Sequence, residues 1–139
     1  MLSLLVSKHQ LQTEDKHIEL VTESKNTSII ADEFHIENAI NNIIDNAIKY
    51  GGELINITLN QDQSQTYITI SDNGTSLTKT QSEQIFDKFF RVPKGNTHNV
   101  KGFGIGLYYT KKIIEKHQGN ISVHLHNNTT FKITLPNAN

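Results

Sequence analysis

Four short stretches of strict alternation constrain this chain more than any other feature of it. In Leu54–Asn60, Ile55, Ile57 and Leu59 share one side, and Asn56, Thr58 and Asn60 the other. In Thr66–Asp72, Ile68 and Ile70 oppose Tyr67, Thr69 and Ser71. Ile121, Val123 and Leu125 oppose Ser122, His124 and His126; Phe131, Ile133 and Leu135 oppose Thr130, Lys132 and Thr134. A period of two with one apolar side marks strands that are buried on one face and wet on the other. Gln61–Gln65 and Asn127-Asn128 have the length and composition of hairpin turns, so these strands pair antiparallel. His17–Val21 alternates too and reads as a short edge strand. A sheet with one apolar face needs a second layer over it.

Helices supply that layer. From Glu33 to Tyr50, Ile36, Ile40, Ile43, Ile44 and Ala47 fall within one arc at about 100° per residue. Asp32 is placed to cap the start of this helix, and Gly51 suits its stop. Leu107–His117 is a second amphipathic helix with Ile113 and Ile114 inward, ended by Gln118-Gly119-Asn120. Gln81–Arg91 reads as a short helix running into an aromatic cluster. The expected fold class is α+β: a two-layer α/β sandwich whose mostly antiparallel mixed sheet is covered on one face by about three helices. The chain of 139 residues is long enough for one domain with a real core. Residues 13–139 are read as that domain, and residues 1–12 as the remnant of a preceding helix or linker.

Composition removes several function classes. A net charge of −1 gives no basic surface for nucleic acid. The absence of cysteine excludes disulfides and thiolate metal sites. No apolar run approaches the ~20 residues that cross a bilayer, so no direct membrane contact is expected of this segment.

Three stretches carry chemistry. On the first helix Asn38, Asn42, Asn46 and Lys49 follow one another a turn apart, on a flank of the apolar arc. Amide oxygens at Asn46 and Asn42 suit a hard cation without adding negative charge beside phosphates, and Lys49 can meet a phosphate as a point charge. Asp72-Asn73-Gly74 ends a strand, where a carboxylate can accept from the exocyclic amine of adenine while Gly74 lets the ring close on backbone. Lys101-Gly102-Phe103-Gly104-Ile105-Gly106-Leu107 opens a helix, and its glycines let backbone N–H groups approach phosphate oxygens. Each stretch has a plainer reading when taken alone: a solvated helix face, a turn and a glycine hinge. No Gly-Lys-Ser/Thr follows the glycines, and Leu107 stands where a dinucleotide fingerprint has its third glycine.

In combination, order and spacing, these stretches resemble the ATP-binding domain of sensor histidine kinases. Asn42–Tyr50 resembles its N box, Asp72–Gly74 its G1 box, Ile85–Arg91 its F box and Gly102–Leu107 its G2 box. The resemblance spans about residues 17 to 136. It implies a Bergerat-type sandwich that binds ATP or ADP with Mg²⁺. The nucleotide would be held by Asn42, Asn46, Lys49, Tyr50, Asp72, Gly74, Ile85, Phe86, Phe89, Phe90, Arg91 and Lys101–Leu107. The metal would sit on Asn46 and Asn42, and catalysis would rest on Asn42, Asn46 and Lys49. Val92–Lys101, with Pro93, Gly95, Asn96 and Asn99, would be the lid of that family.

Hydrolytic members of the wider superfamily usually carry a glutamate where this chain has Asn42, and an amide cannot take a proton from water. The resemblance therefore implies transfer of the γ-phosphoryl to an imidazole rather than to water. None of the seven histidines stands in the family's phosphoacceptor context, before an acidic residue and a Thr- or Asn-Pro pair. The expected acceptor is a separate dimerisation domain, with a response regulator downstream. The expected setting is the bacterial cytoplasm, with a parent protein that is often membrane-anchored in this family. Two departures favour an alternative, a degenerate nucleotide-binding module: Ser76 replaces a second G1-box glycine, and Phe103 replaces a small G2-box residue.

Overall fold

The computed structural model describes residues 6–8, 10–11, 17–23, 32–50, 52–74, 78–87, 106–125 and 128–137, with backbone only at His17, Thr22, Glu23, Glu33, Lys49 and Tyr50. Ser28–Ala31, Gly51, Ser76, Phe89, Phe90, Arg91, Val92–Lys101, Gly102–Ile105, His9 and His126 lie outside the described residues. The elements are β1 (His17–Glu23), α1 (Glu33–Tyr50), β2 (Leu54–Gln61), β3 (Gln65–Asp72), α2 (Lys79–Gln84), α3 (Gly106–Lys116), β4 (Asn120–Leu125) and β5 (Thr129–Pro136).

The strands form one mixed sheet in the order β1-β2-β3-β5-β4. β2, β3, β5 and β4 pair antiparallel, as the two hairpin patterns require. β1 is the edge strand expected, and it lies parallel to β2, with Ile18 opposite Ile55 and Leu20 opposite Ile57. The chain must cross over between parallel neighbours, and α1 lies in that connection. On the inner face Ile55, Ile57, Ile68, Ile70, Ile121, Phe131, Ile133 and Leu135 are buried. The outer face is polar, and there the hydroxyls of Thr58 and Thr69 hydrogen-bond across the strands.

α1 covers this inner face. Ile36, Ala39, Ile40, Ile43, Ile44 and Ala47 are all buried in the same core as the sheet residues. The helix starts as its sequence predicts. Asp32 Oδ1 accepts from the His35 N–H at 3.2 Å, and the Asp32 carbonyl takes the first helical bond from Ile36 at 3.0 Å.

Two expectations need correction. The helix expected from Gln81 is α2, and it starts earlier because Thr78 caps it: Thr78 Oγ1 accepts from the Gln81 N–H, and Gln81 Oε1 from the Thr78 N–H. It ends at Gln84, with a turn at Ile85 and Phe86. On α3 the buried line is Leu107, Thr110 and Ile114, while Ile113 is half-buried on the flank. The helix ends with the Gln118 N–H bonded to the Glu115 carbonyl and the Gly119 N–H to the Ile114 carbonyl. That pairing needs a left-handed residue, which here is Gln118 at φ 60°. Gly119 then lies so close to β5 that a Cβ on it would stand 2.4 Å from the Thr134 carbonyl oxygen.

The β2–β3 turn is organised by Asp62. Its Oδ1 accepts from the N–H groups of Ser64 at 2.9 Å and Gln65 at 2.8 Å, and its Oδ2 from the Tyr67 hydroxyl at 2.8 Å. These bonds, the Ser64 N–H foremost, hold the carboxyl down at about 2, against an ordinary 3.8. A depressed carboxyl pKa stabilises the fold above the unfolded-state value, and the contribution fades as pH falls through the folded value. We expect the Asp62 carboxyl carbon to titrate near pH 2 by NMR, with stability lost between about pH 4 and 2 that Asp62→Asn does not lose. A midpoint at the ordinary aspartate value would contradict the assigned bonds.

Candidate functional site

With its isoleucine face on the sheet, α1 turns its amide flank toward α3. The two helices run antiparallel, and α3 is tied to α1 at both of its own ends. At one end the Asp32 N–H donates to His117 Nε2 at 3.1 Å, while His117 Nδ1 pairs with the Ile113 carbonyl at 2.8 Å. A carbonyl only accepts, so the imidazole carries its proton on Nδ1. At the other end Asn42 Nδ2 donates to the Gly106 carbonyl at 3.4 Å and to Thr110 Oγ1 at 3.3 Å. The donors of Asn42 are thus engaged by α3, and its Oδ1 lies on the opposite side of the carboxamide.

Asn46, one turn on, is only 8% exposed, and its side chain makes no hydrogen bond among the described residues. No fully buried side-chain N or O atom among those residues lacks a partner, so the Asn46 amide keeps a solvent-facing opening. Asn38 is exposed, and the Lys49 and Tyr50 side chains lie outside the described residues. The two amides offer neutral oxygens, a donor set that fits a hard cation whose remaining ligands are phosphate and water. Among the described residues no three His, Asp or Glu side chains cluster as a self-sufficient metal cage.

The end of α1 meets the end of β3. Asp72 is buried and opposes Ile55 of β2 and Thr129 of β5. Its Oδ1 accepts from the Gly74 N–H at 2.7 Å and from the Gly52 N–H at 3.3 Å. Gly52 follows the last turn of α1, so this carboxylate joins the first and second motifs. The Asn73 side chain closes the corner by accepting from the Leu54 N–H at 3.2 Å, and Thr129 Oγ1 donates to the Gly74 carbonyl at 3.4 Å. From Asn42 to Tyr50 the helix runs about 12 Å. Gly106 therefore meets its middle and the Asp72 motif its C-terminal end.

Of the other expected residues, Ile85 is buried, and Phe86 packs edge-on against Phe131 with centroids 6.1 Å apart. Lys111 Nζ stands 5.7 Å from the Phe86 ring centre. Leu107 is in the core, and Gly106 is the first residue of α3. Along the outer seam of the two helices runs a groove of about 600 Å³, lined by His35, Asn38 and Asn42 from α1 and by Tyr108, Tyr109, Lys112, Ile113 and Lys116 from α3.

Sequence reasoning missed Gly52, Thr110 and Thr129. A signal existed for Thr110: it stands four residues after Gly106, on the line of Leu107 and Ile114, and so is a polar residue on an apolar face. Gly52 and Thr129 act across the fold, and nothing local in their sequence marks them.

Residues 31–139 match the model of a family described as histidine kinase-, DNA gyrase B- and HSP90-like ATPase. The chain belongs to that family. It is 45% identical over 120 residues to the sensor protein RprX of Bacteroides fragilis, an alignment that takes in 82% of this chain and 23% of that protein. It is 31% identical to the sensor histidine kinase WalK of Bacillus subtilis, across 97% of this chain and 23% of WalK. The chain thus spans about a quarter of the length of these curated relatives. Among solved structures, the catalytic domain of histidine kinase ThkA superposes with a TM-score of 0.77 at 25% identity, covering 97% of this chain and 93% of that one. Among the described residues no helix is long and apolar enough to cross a membrane.

The corner at Asp72 has little room. A Cβ on Gly52 would stand 1.8 Å from Asn73 Oδ1 and 2.8 Å from the Gly74 nitrogen. Gly52→Ala is expected to cost about 1–3 kcal/mol in urea unfolding. Adding Asn73→Ala removes the closer contact but leaves the backbone one, so it should restore only part of the loss. A fully stable Gly52→Ala chain would show that the corner is not packed as described.

Proposed function

We propose that this chain is the ATP-binding catalytic domain of a sensor histidine kinase, and that it passes the γ-phosphoryl of ATP to a histidine on a separate dimerisation domain. The observation that carries the reading is the meeting of three motifs on α1: amides at Asn42 and Asn46, the start of α3 at Gly106, and the buried Asp72. A relative named as a sensor histidine kinase, another named as a sensor protein, and the coextensive ThkA catalytic domain support it. In this reading Asp72 selects adenine, Lys49 and the Gly102–Gly106 backbone meet phosphates, and Ile85, Phe86, Phe89, Phe90 and Arg91 flank the nucleotide. Tyr50, Lys101 and Leu107 complete the pocket, and Val92–Lys101 is its lid. Residues 13–139 form the domain.

Asn46 and Asn42 Oδ1 would hold Mg²⁺, which when bound neutralises charge on the phosphate oxygens. The chain's own part is to orient. The γ-phosphorus is held for in-line attack by an imidazole nitrogen: a P–N bond forms, the bond to the bridging oxygen breaks, and ADP leaves. Asn42 has no basic lone pair for water, so hydrolysis gains no base. The groove that ends at Asn42, with Lys112 and Lys116 on its wall, is where we place the phosphoacceptor helix. The acceptor then serves a response regulator. The domain works in the cytoplasm, where ATP is supplied.

The test mixes the chain with the dimerisation domain of its own parent protein and labelled ATP. Acid-labile, base-stable label is expected on that added domain, none on the chain alone, and little free phosphate. Nucleotide binding without transfer would instead identify a degenerate binding module, and steady phosphate release an ATPase.

A further inference from the structure

Thr110 is the one polar residue on the buried line of α3, and it is fully inaccessible to solvent. Its hydroxyl lies 2.9 Å from the Gly106 carbonyl oxygen, 3.4 Å from the Ala39 carbonyl oxygen and 3.3 Å from Asn42 Nδ2. A hydroxyl has one proton to give. The short contact to Gly106, one turn back on the same helix, takes it, as buried threonines on helices commonly do. The lone pairs of Oγ1 are then what Asn42 meets. The Gly106 carbonyl, the other partner of Asn42 at 3.4 Å, also only accepts. Two acceptors converge on one end of this carboxamide, and a reversed Asn42 would set its own oxygen against both.

We propose that Thr110 is a positioning residue: it sets the orientation of the Asn42 amide so that Oδ1, and not Nδ2, faces the site. This rests on the proposed nucleotide function of Asn42. It also couples two motifs, because the same hydroxyl binds the last glycine of the Gly102–Gly106 stretch. A merely structural threonine, content with its Gly106 bond, would affect stability alone. A positioning threonine affects how much Mg²⁺ improves ATP binding, since a metal accepts an amide oxygen and rejects an amide nitrogen.

The test uses the whole chain in two measurements. Calorimetry with ATP, in Mg²⁺ and in chelator, gives the metal-dependent gain in affinity. Thr110→Val keeps the shape and removes the lone pairs, and is expected to cut that gain about tenfold, in line with other groups that orient metal ligands. Thr110→Ser is expected to retain it, and affinity in chelator should be alike in all three. An unchanged gain in Thr110→Val, with the wild type showing one, overturns the proposal. The second measurement needs neither ligand nor variant: exchange of the Asn42 side-chain amide protons with water in the wild-type chain, against the exposed Asn38 as internal reference. Slower exchange at Asn42 supports the proposal, and equal rates overturn it even if Thr110→Val fails to fold. A wild-type chain with no Mg²⁺ gain at all refutes the nucleotide reading instead, and the exchange rates still report whether the Asn42 amide protons are held.

Discussion

The burial of one face of α1 against the sheet is the interaction on which the rest depends. Ile36, Ile40, Ile43 and Ile44 are essentially inaccessible, as are Ile55, Ile57, Ile70 and Ile133 beneath them. Each such side chain contributes roughly 1.5–3 kcal/mol when fully buried. That interaction does more than stabilise. It fixes the rotation of α1 about its axis, and with it the direction of every other residue on the helix. Asn42 and Asn46 have no choice but the flank beside α3. Rotating the helix by one residue, to aim them elsewhere, would take the isoleucines out of the core.

Weaker polar bonds then refine what burial sets coarsely. Asp32 with His117, and Asn42 with Gly106 and Thr110, lock α3 alongside α1. Asp72 ties Gly52 and Gly74 at the far end. Each bond is worth only about 1 kcal/mol net, so none of them holds the fold. In the proposed function their value is geometric, because phosphoryl transfer would ask the protein mainly to position groups and stabilise charge. The proposed site is thus built from neutral amides and backbone, with its one described carboxylate set at the Asp72 corner.

Much of this was legible in the sequence, for physical reasons that differ by element. Period-two alternation fixes which strand face is buried, and the four patterned strands pair antiparallel as expected. The Glu33–Tyr50 helix has the bounds its pattern predicts, because Asp32 caps it and its apolar arc is unbroken. The parallel pairing of β1 was not legible: seven residues at an edge carry no sign of their neighbour's direction. The earlier start of α2 does have a sequence signal, the Thr78-x-x-Gln81 capping box, which a weak apolar pattern beginning at Gln81 masks. Ile113 adjoins Ile114 in sequence, but one residue is a 100° turn on a helix. Ile113 therefore packs at the edge of the core, half-buried, and also lines the outer groove. The candidate residues were found through their motifs. What tethers them was not, because Gly52 and Thr129 reach Asp72 and Gly74 only once the sheet is assembled.

In the proposed function the amide flank of α1 holds the metal-bound phosphates of a nucleotide. Asn46 tests it most directly, since it makes no bond among the described residues that its loss would break. The measurement is the affinity of the Asn46→Ala chain for ATP, with and without Mg²⁺. An unchanged melting temperature, modest change in chelator, and loss of most of the tightening that Mg²⁺ brings to the wild type are expected. Full retention of that tightening would contradict it.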